Sequence, residues 1–233
     1  MRVGDCEMER LIVIEGLDGS GKSTQTELLK TALIEAGNDL HQIKLPDYED
    51  PSSTLVRMYL GGEFGSDPKA VGAYAASSFY AVDRFANYTR KWKDAYKSGT
   101  LILADRYTTS NAAHQMTKLE KSEWDEYLAW LEDFEYVKIG IPKPTLVIFL
   151  DMPVAISQKL MTRRYEGDEN KKDVHEANVE YLKQCRDAGL YAALKLGWTV
   201  IPCSEGNEPR SIDDIAADIK AAVKREVKDT FND

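Results

Sequence analysis

The chain has 233 residues, enough for one domain that buries roughly 70% of its unfolded surface without disulfide or metal staples. Apolar residues make up 43% and charged residues 30%, a balance that excludes a disordered chain, and no apolar run approaches the roughly 20 residues of a membrane span. With 30 basic against 39 acidic residues the net charge is −9, which argues against a nucleic-acid-coating protein and requires any phosphate ligand to find a local cationic site.

Residues 1–10 are too polar for a signal peptide. Cys6, Cys185 and Cys203 match no disulfide or zinc spacing, so a cytoplasmic setting is expected. There is no internal repeat, low-complexity tract or linker, and the chain reads as a single domain over residues 1–233.

Residues 10–14 form a continuous apolar run that predicts a buried strand. Residues 22–36 predict a helix with Leu28, Leu29, Ala32, Leu33 and Ala36 on its inner face and Gly37 as its stop. Residues 40–45 predict a weaker strand ended by Pro46. Asp67-Pro68 is a helix-start signal, and the helix should run to Lys97 and stop at Gly99. Residues 101–104 predict a third strand. Residues 122–139 predict a helix with an inner stripe of Trp124, Leu128, Leu131 and Phe134. Residues 146–150 predict a fourth strand, 153–194 a mostly helical stretch with a polar middle, 199–201 a fifth strand and 211–227 a closing helix.

Near-continuous apolar strands alternating with helices imply an α/β fold of three layers, a parallel sheet covered on both faces. Ligands of such sheets sit beyond the carboxyl ends of the strands, so the residues just after each strand carry the functional information.

After the first strand comes Gly16-Leu17-Asp18-Gly19-Ser20-Gly21-Lys22-Ser23-Thr24, which fits G-x-x-x-x-G-K-[ST]. The glycines let backbone N–H groups curl around phosphate oxygens, and the next helix adds its positive end. Gly16, Gly19, Ser20, Gly21, Lys22, Ser23 and Thr24 are the candidate ATP-binding residues, with Lys22 on the β- and γ-phosphates and Ser23 on Mg²⁺. A chance glycine turn would lack this strand-to-helix context. Asn170-Lys171-Lys172-Asp173 spells a guanine-reading signature, but it lies in a charged stretch rather than after a strand, and a solvated charge run is the better reading. The third strand ends in Asp105-Arg106-Tyr107. There a carboxylate can hold Mg²⁺ directly or through water, and an arginine can grip a phosphate bidentately.

With these residues in place the chain resembles the thymidylate kinase family over nearly its whole length. The resemblance rests on residues 14–24, on Tyr80-Ala81-Val82-Asp83-Arg84, and on Asp105-Arg106-Tyr107 followed by Ser110, Asn111 and Gln115. It implies a five-stranded phosphate-loop kinase with a mobile lid at about residues 159–176. It also implies transfer of the γ-phosphoryl group of ATP to the 5′-phosphate of dTMP with Mg²⁺, and a possible homodimer through the long helices. Tyr80 would stack on the pyrimidine; Arg84, Asn111 and Gln115 would read the base. Arg106 would hold the acceptor phosphate, Asp18 would order the acceptor nucleotide, and Asp105 would lie near Mg²⁺. Asp47 and Arg57 would add acceptor contacts, Arg57 on a loose match.

Three departures stand out. Gly19 occupies a position where one branch of the family carries a catalytic arginine, so Arg163 or Arg164 is the expected finger, alternative to salt bridges within the lid. Tyr48 stands where one branch has arginine, and His114 where the family tends to place Tyr or Phe, which leaves sugar discrimination open. The rival readings are a deoxynucleoside kinase using Asp47 or Glu49 as a base, a dUMP or CMP kinase, and a nucleotide-binding regulator without turnover. No nucleic-acid polymer and no membrane enters any of them.

Overall fold

The computed structural model describes residues 10–65, 70–164 and 179–231. Five strands form one parallel sheet: β1 (Leu11–Gly16), β2 (Leu40–Lys44), β3 (Leu101–Asp105), β4 (Leu146–Asp151) and β5 (Thr199–Pro202). Their order is β2-β3-β1-β4-β5. The chain builds β2 and β3 on one side of β1, then β4 and β5 on the other. The carboxyl end of β1 therefore lies at the topological switch point, where doubly wound sheets place their ligands.

Alternation along the strands explains the three layers, because successive side chains point to opposite faces. Ile12, Ile14, Leu101, Leu103, Ile148 and Leu150 pack on one face against α1 (Lys22–Glu35) and the closing helix (Ile212–Glu226). Leu11, Val13, Ile102, Ala104 and Val147 pack on the other against Tyr88, Trp92, Tyr96 and Tyr107. Leu33 is fully buried, and its truncation to alanine would cost about 2–5 kcal/mol.

The predicted inner face of α1 needs one correction. Leu29 and Leu33 are buried, but Leu28 is exposed, and Gln25 and Thr26 take the buried positions instead. The helix rotates this way because its first turn must present Lys22 and the phosphate loop at the sheet edge.

α2 (Thr54–Leu60) carries Arg57 on a helix, as the resemblance implies. The predicted long helix is α3 (Ala73–Asn87) and α4 (Lys93–Lys97), joined by a π-helical turn over Tyr88–Trp92. Its start is at Ala73; the Asp67-Pro68 signal lies outside the described residues. Gly99, at φ +90°, ends the run as predicted. α5 (Thr109–His114) follows β3 directly. α6 (Trp124–Glu132) continues into a π-helical segment, Asp133–Ile139. Trp124, Leu128 and Leu131 are buried as expected, but Tyr127 joins them. Phe134 is only half-buried and stacks on Trp130 at 4.9 Å.

The remaining helices are α7 (Val154–Arg164), α8 (Val179–Leu196) and α9 (Ile212–Glu226). The Ser211 hydroxyl caps α9 by accepting from the Asp214 N–H, with acids in the first turn and bases in the last, the arrangement that suits the helix dipole. A short hairpin, β6 (Ser204–Glu205) and β7 (Glu208–Pro209), precedes it. Arg163 and Arg164 end α7, and their side chains lie outside the described residues, as do the guanine-like tetrapeptide and most of the expected lid.

Candidate active site

Two cavities open at the carboxyl edge of the sheet. One, of about 650 Å³, runs along the phosphate loop and the first turn of α1, from Gly19 to Gln25, to Arg210 and Ile212 at the start of α9. The other, of about 250 Å³, lies between α2, α3 and α5; Tyr48, Tyr80, Arg84, Arg106, Asn111 and Gln115 are among its walls. Asp18 lines both.

The phosphate loop is held from below. Gly19 has φ +75°, and a Cβ there would come within 2.8 Å of Met161 Cγ and of the Ser157 carbonyl oxygen on α7. No larger side chain fits without moving that helix, so the position that carries arginine in part of the family is closed to one here. Lys22 Nζ donates to the Leu17 carbonyl at 3.0 Å and lies 3.6 Å from Asp18 Oδ1. Burial, then the Arg106 charge, pull the Lys22 amine below the ordinary lysine value, against the opposing pull of Asp18, Glu15 and Asp105.

Arg106 adopts φ +68°, a left-handed conformation that a residue with a Cβ enters only when its surroundings impose it. Its side chain donates to Asp18 Oδ1 at 2.5 Å and to His114 Nε2 at 3.3 Å, and stands 3.6 Å from Glu15 Oε1. Burial opposes the arginine charge, but Asp18, Glu15 and Asp105 outweigh it and hold the guanidinium protonated. Reciprocally, burial pushes the Asp18 carboxyl up, while Arg106 and Lys22 prevail and keep it well below the ordinary carboxylate range. Glu15 is buried at the end of β1, where the sequence pattern shows only an acid in an apolar strand. It accepts from the Gly16 N–H, the Thr109 hydroxyl and the Ser110 hydroxyl, and so ties the phosphate loop to α5.

The predicted base-reading group is brought together with one unforeseen partner. Arg84 donates Nε to Glu135 Oε2 at 2.7 Å and NH2 to Glu135 Oε1, rather than pairing with Asp83. Asn111 Nδ2 also reaches Glu135 Oε1, at 3.2 Å, and the Ser77 carbonyl. Nothing in the spacing of Glu135 marks it; only the fold brings it to Arg84. Gln115 Oε1 is buried without a hydrogen-bond partner. Tyr80 packs edge-on to Tyr59, whose hydroxyl accepts from Lys118 Nζ at 2.8 Å. His114 and Tyr181 complete the wall.

Asp47 and Arg57 are not brought into this cavity. Asp47 Oδ2 accepts from Asn87 at the end of α3 and from Lys91 in the π-helical turn after it. Arg57 donates to the Tyr48 carbonyl at 2.7 Å and to the Ser53 hydroxyl at 2.8 Å, so it braces the loop that carries Tyr48. That loop is also pinned by Asp83, which accepts from the Asp47 N–H and the Ser52 hydroxyl. Distant partners hold Asp47, whereas Arg57 is held by the loop and helix turn just before it.

Asp105 is buried beside Lys22 and Arg106, with Oδ1 unpartnered. An orphaned carboxylate oxygen at this point, with the Ser23 hydroxyl on the loop, is a donor set that suits a hydrated Mg²⁺ held mainly by nucleotide phosphates. Among the described residues no group of three or more His, Cys, Asp or Glu could hold a metal by itself. Cys185 Sγ lies 3.5 Å from His114 Nδ1, but burial pushes its thiol up to about 12, so it is no nucleophile.

The arrangement aligns anions and neutralises charge without a covalent nucleophile, which suits phosphoryl transfer. Comparisons with known proteins agree. Residues 14–208 match the family model for thymidylate kinase. The chain is 32% identical to a probable thymidylate kinase of Thermococcus onnurineus over 219 residues, 93% of this chain and 98% of the relative. It is 29% identical to a thymidylate kinase of Mycobacterium tuberculosis over 191 residues, 81% of this chain and 87% of the relative. The solved structure of thymidylate kinase from Candida albicans superposes with a TM-score of 0.68 over 96% of this chain and 95% of that one, at 23% identity, a likeness of fold. The chain belongs to the thymidylate kinase family, ATP-dependent enzymes that phosphorylate dTMP to dTDP.

Proposed function

We propose that the two cavities are the donor and acceptor halves of one phosphoryl-transfer site, with ATP along the phosphate loop and dTMP between α2, α3 and α5. The observation that carries this reading is Asp18, which lines both cavities and is bonded to the arginine at the acceptor side. Lys22 and the loop N–H groups cradle the donor phosphates. Arg106 holds the acceptor phosphate, which is already a nucleophile at neutral pH and needs no base. Tyr80 provides the stacking face, and Asn111 and Gln115 the amides that read the base edge. Arg84, clamped by Glu135, fixes the pocket floor. Ser23 and Asp105 would hold Mg²⁺, which supplies charge neutralisation between the β- and γ-phosphates.

Gly19 supplies no cation, so the finger comes from Arg163 or Arg164. Both sit on α7, the helix whose Ser157 and Met161 abut the phosphate loop. A nucleoside acceptor would need a base at its hydroxyl, and Asp47 and Glu49 are absent from the cavity wall.

We infer a homodimer from Val82 and Phe85, large apolar side chains exposed on one face of α3. A sedimentation mass of one chain would remove that inference. No helix among the described residues is long and apolar enough to cross a membrane. A cytoplasmic location is inferred from the free thiols of Cys185 and Cys203.

The test of the activity is ADP release with Mg-ATP against dTMP, dUMP, UMP, CMP and thymidine. Strong preference for dTMP is expected. Turnover of thymidine alone, or nucleotide binding without turnover, would overturn the reading.

A further inference from the structure

Arg106 joins the phosphate loop to the acceptor cavity wall through its own hydrogen bonds, one to Asp18 and one to His114. A guanidinium can only donate, so the 3.3 Å contact makes His114 Nε2 the acceptor. An imidazole that accepts there carries its proton on Nδ1. That nitrogen faces two atoms of α8, the Tyr181 hydroxyl at 3.4 Å and Cys185 Sγ at 3.5 Å, which can accept from it. The Arg106 contact thus selects the tautomer, and the α8 side accommodates it. The imidazole stands between α8 and the arginine as a rigid spacer.

We propose that His114 is a positioning residue for the acceptor: by accepting from Arg106 it fixes the guanidinium against Asp18 and turns its remaining N–H bonds toward the phosphate of the nucleoside monophosphate. The inference rests on the reading of the cavity as the acceptor site. Arg106 needs such a strut because its backbone is held at φ +68° and three acids, Asp18, Glu15 and Asp105, pull on its charge. Without His114 as a further acceptor the guanidinium would turn wholly to those acids.

The geometry predicts which replacement works. A glutamine places its amide oxygen where Nε2 lies, whereas an asparagine stops near Nδ1 and a phenylalanine offers no acceptor. His114→Phe and His114→Asn should each raise the KM for dTMP about tenfold, with the KM for ATP unchanged and kcat within about threefold; a tenfold change is the scale of one hydrogen bond to a charged group. His114→Gln should stay within about threefold of the parent. Melting temperatures of all three report folding separately. Equal effects of Gln, Asn and Phe, or a parent-like KM in His114→Phe, would overturn the proposal. Failure of the parent enzyme itself to phosphorylate any nucleoside monophosphate would overturn the reading beneath it instead.

Discussion

Arg84 and Glu135, fifty-one residues apart in the chain, form a bidentate ion pair that is closed to solvent on both sides. The pair joins α3 to the π-helical segment after α6 and forms the floor of the acceptor cavity. Burial works against the Arg84 charge, and Glu135 restores it. A buried pair of this kind is weak evidence for net stability, but removal of one partner leaves an uncompensated charge in the interior. Glu135→Ala should therefore destabilise the fold by about 3–5 kcal/mol in urea unfolding. A loss below about 1 kcal/mol would show that water or another acid reaches Arg84. A Glu135→Ala, Arg84→Met double variant should recover much of the loss, because the unpaired charge is gone.

Lys22 is the cation of the phosphate loop on the donor side. Its amine is buried and contacts the Leu17 carbonyl and Asp18. Lys22→Ala should lower kcat by at least about 10²–10³-fold, the scale for removal of one preorganised cation from a transition state. The parent melting temperature should be kept within a few degrees. Near-normal turnover in this variant would place the donor elsewhere.

The sequence carried the sheet, the phosphate loop and Arg106 because each depends on local pattern: apolar runs, glycines at fixed offsets, a charged residue just after a strand. It could not carry Glu135, Tyr59 or Tyr181, since each joins the cavity through a contact between distant elements. Asp47 and Arg57 show the converse. The resemblance offers both as acceptor contacts, yet Lys91 and Asn87 bond Asp47, and the Tyr48 carbonyl and the Ser53 hydroxyl bond Arg57, outside the cavity wall. The π-helical turns over Tyr88–Trp92 and Asp133–Ile139 also escape periodicity, because one extra residue in a helix leaves no compositional mark.

Lys118 gives the fold a stability term on the alkaline side. Its amine donates to the Tyr59 hydroxyl and the Val71 carbonyl, both at 2.8 Å, and has no acidic partner among the described residues. Burial brings it down to about 8 from 10.5. Between those values the unfolded chain binds the proton that the folded chain has released, so stability from this group rises as pH rises from about 8 to 10.5. Below pH 8 the charged amine is desolvated in the fold and that gain is absent. Measured against Lys118→Met, the parent should gain relative stability over this window in chemical denaturation. A flat difference would mean that the amine titrates as it does in water.

Arg163 and Arg164 share one turn of α7, and the transferring phosphoryl group needs a second cation beside Lys22, which Gly19 does not provide. Arg163→Ala and Arg164→Ala should separate: the finger loses about 10³–10⁵-fold in kcat with little change in either KM, while its neighbour changes activity by less than about tenfold. Two small effects would mean that the cation comes from elsewhere. Moving the arginine to the loop should not repair the defective variant. At Gly19 a Cβ meets Met161 Cγ and the Ser157 carbonyl at 2.8 Å, and a left-handed backbone costs a substituted residue roughly 1–2 kcal/mol besides. Gly19→Arg should thus lower the melting temperature and leave the kcat of the defective variant unrestored. Recovery of turnover in that double variant would show that α7 yields its place against the loop. The catalytic cation would then be interchangeable between the two positions.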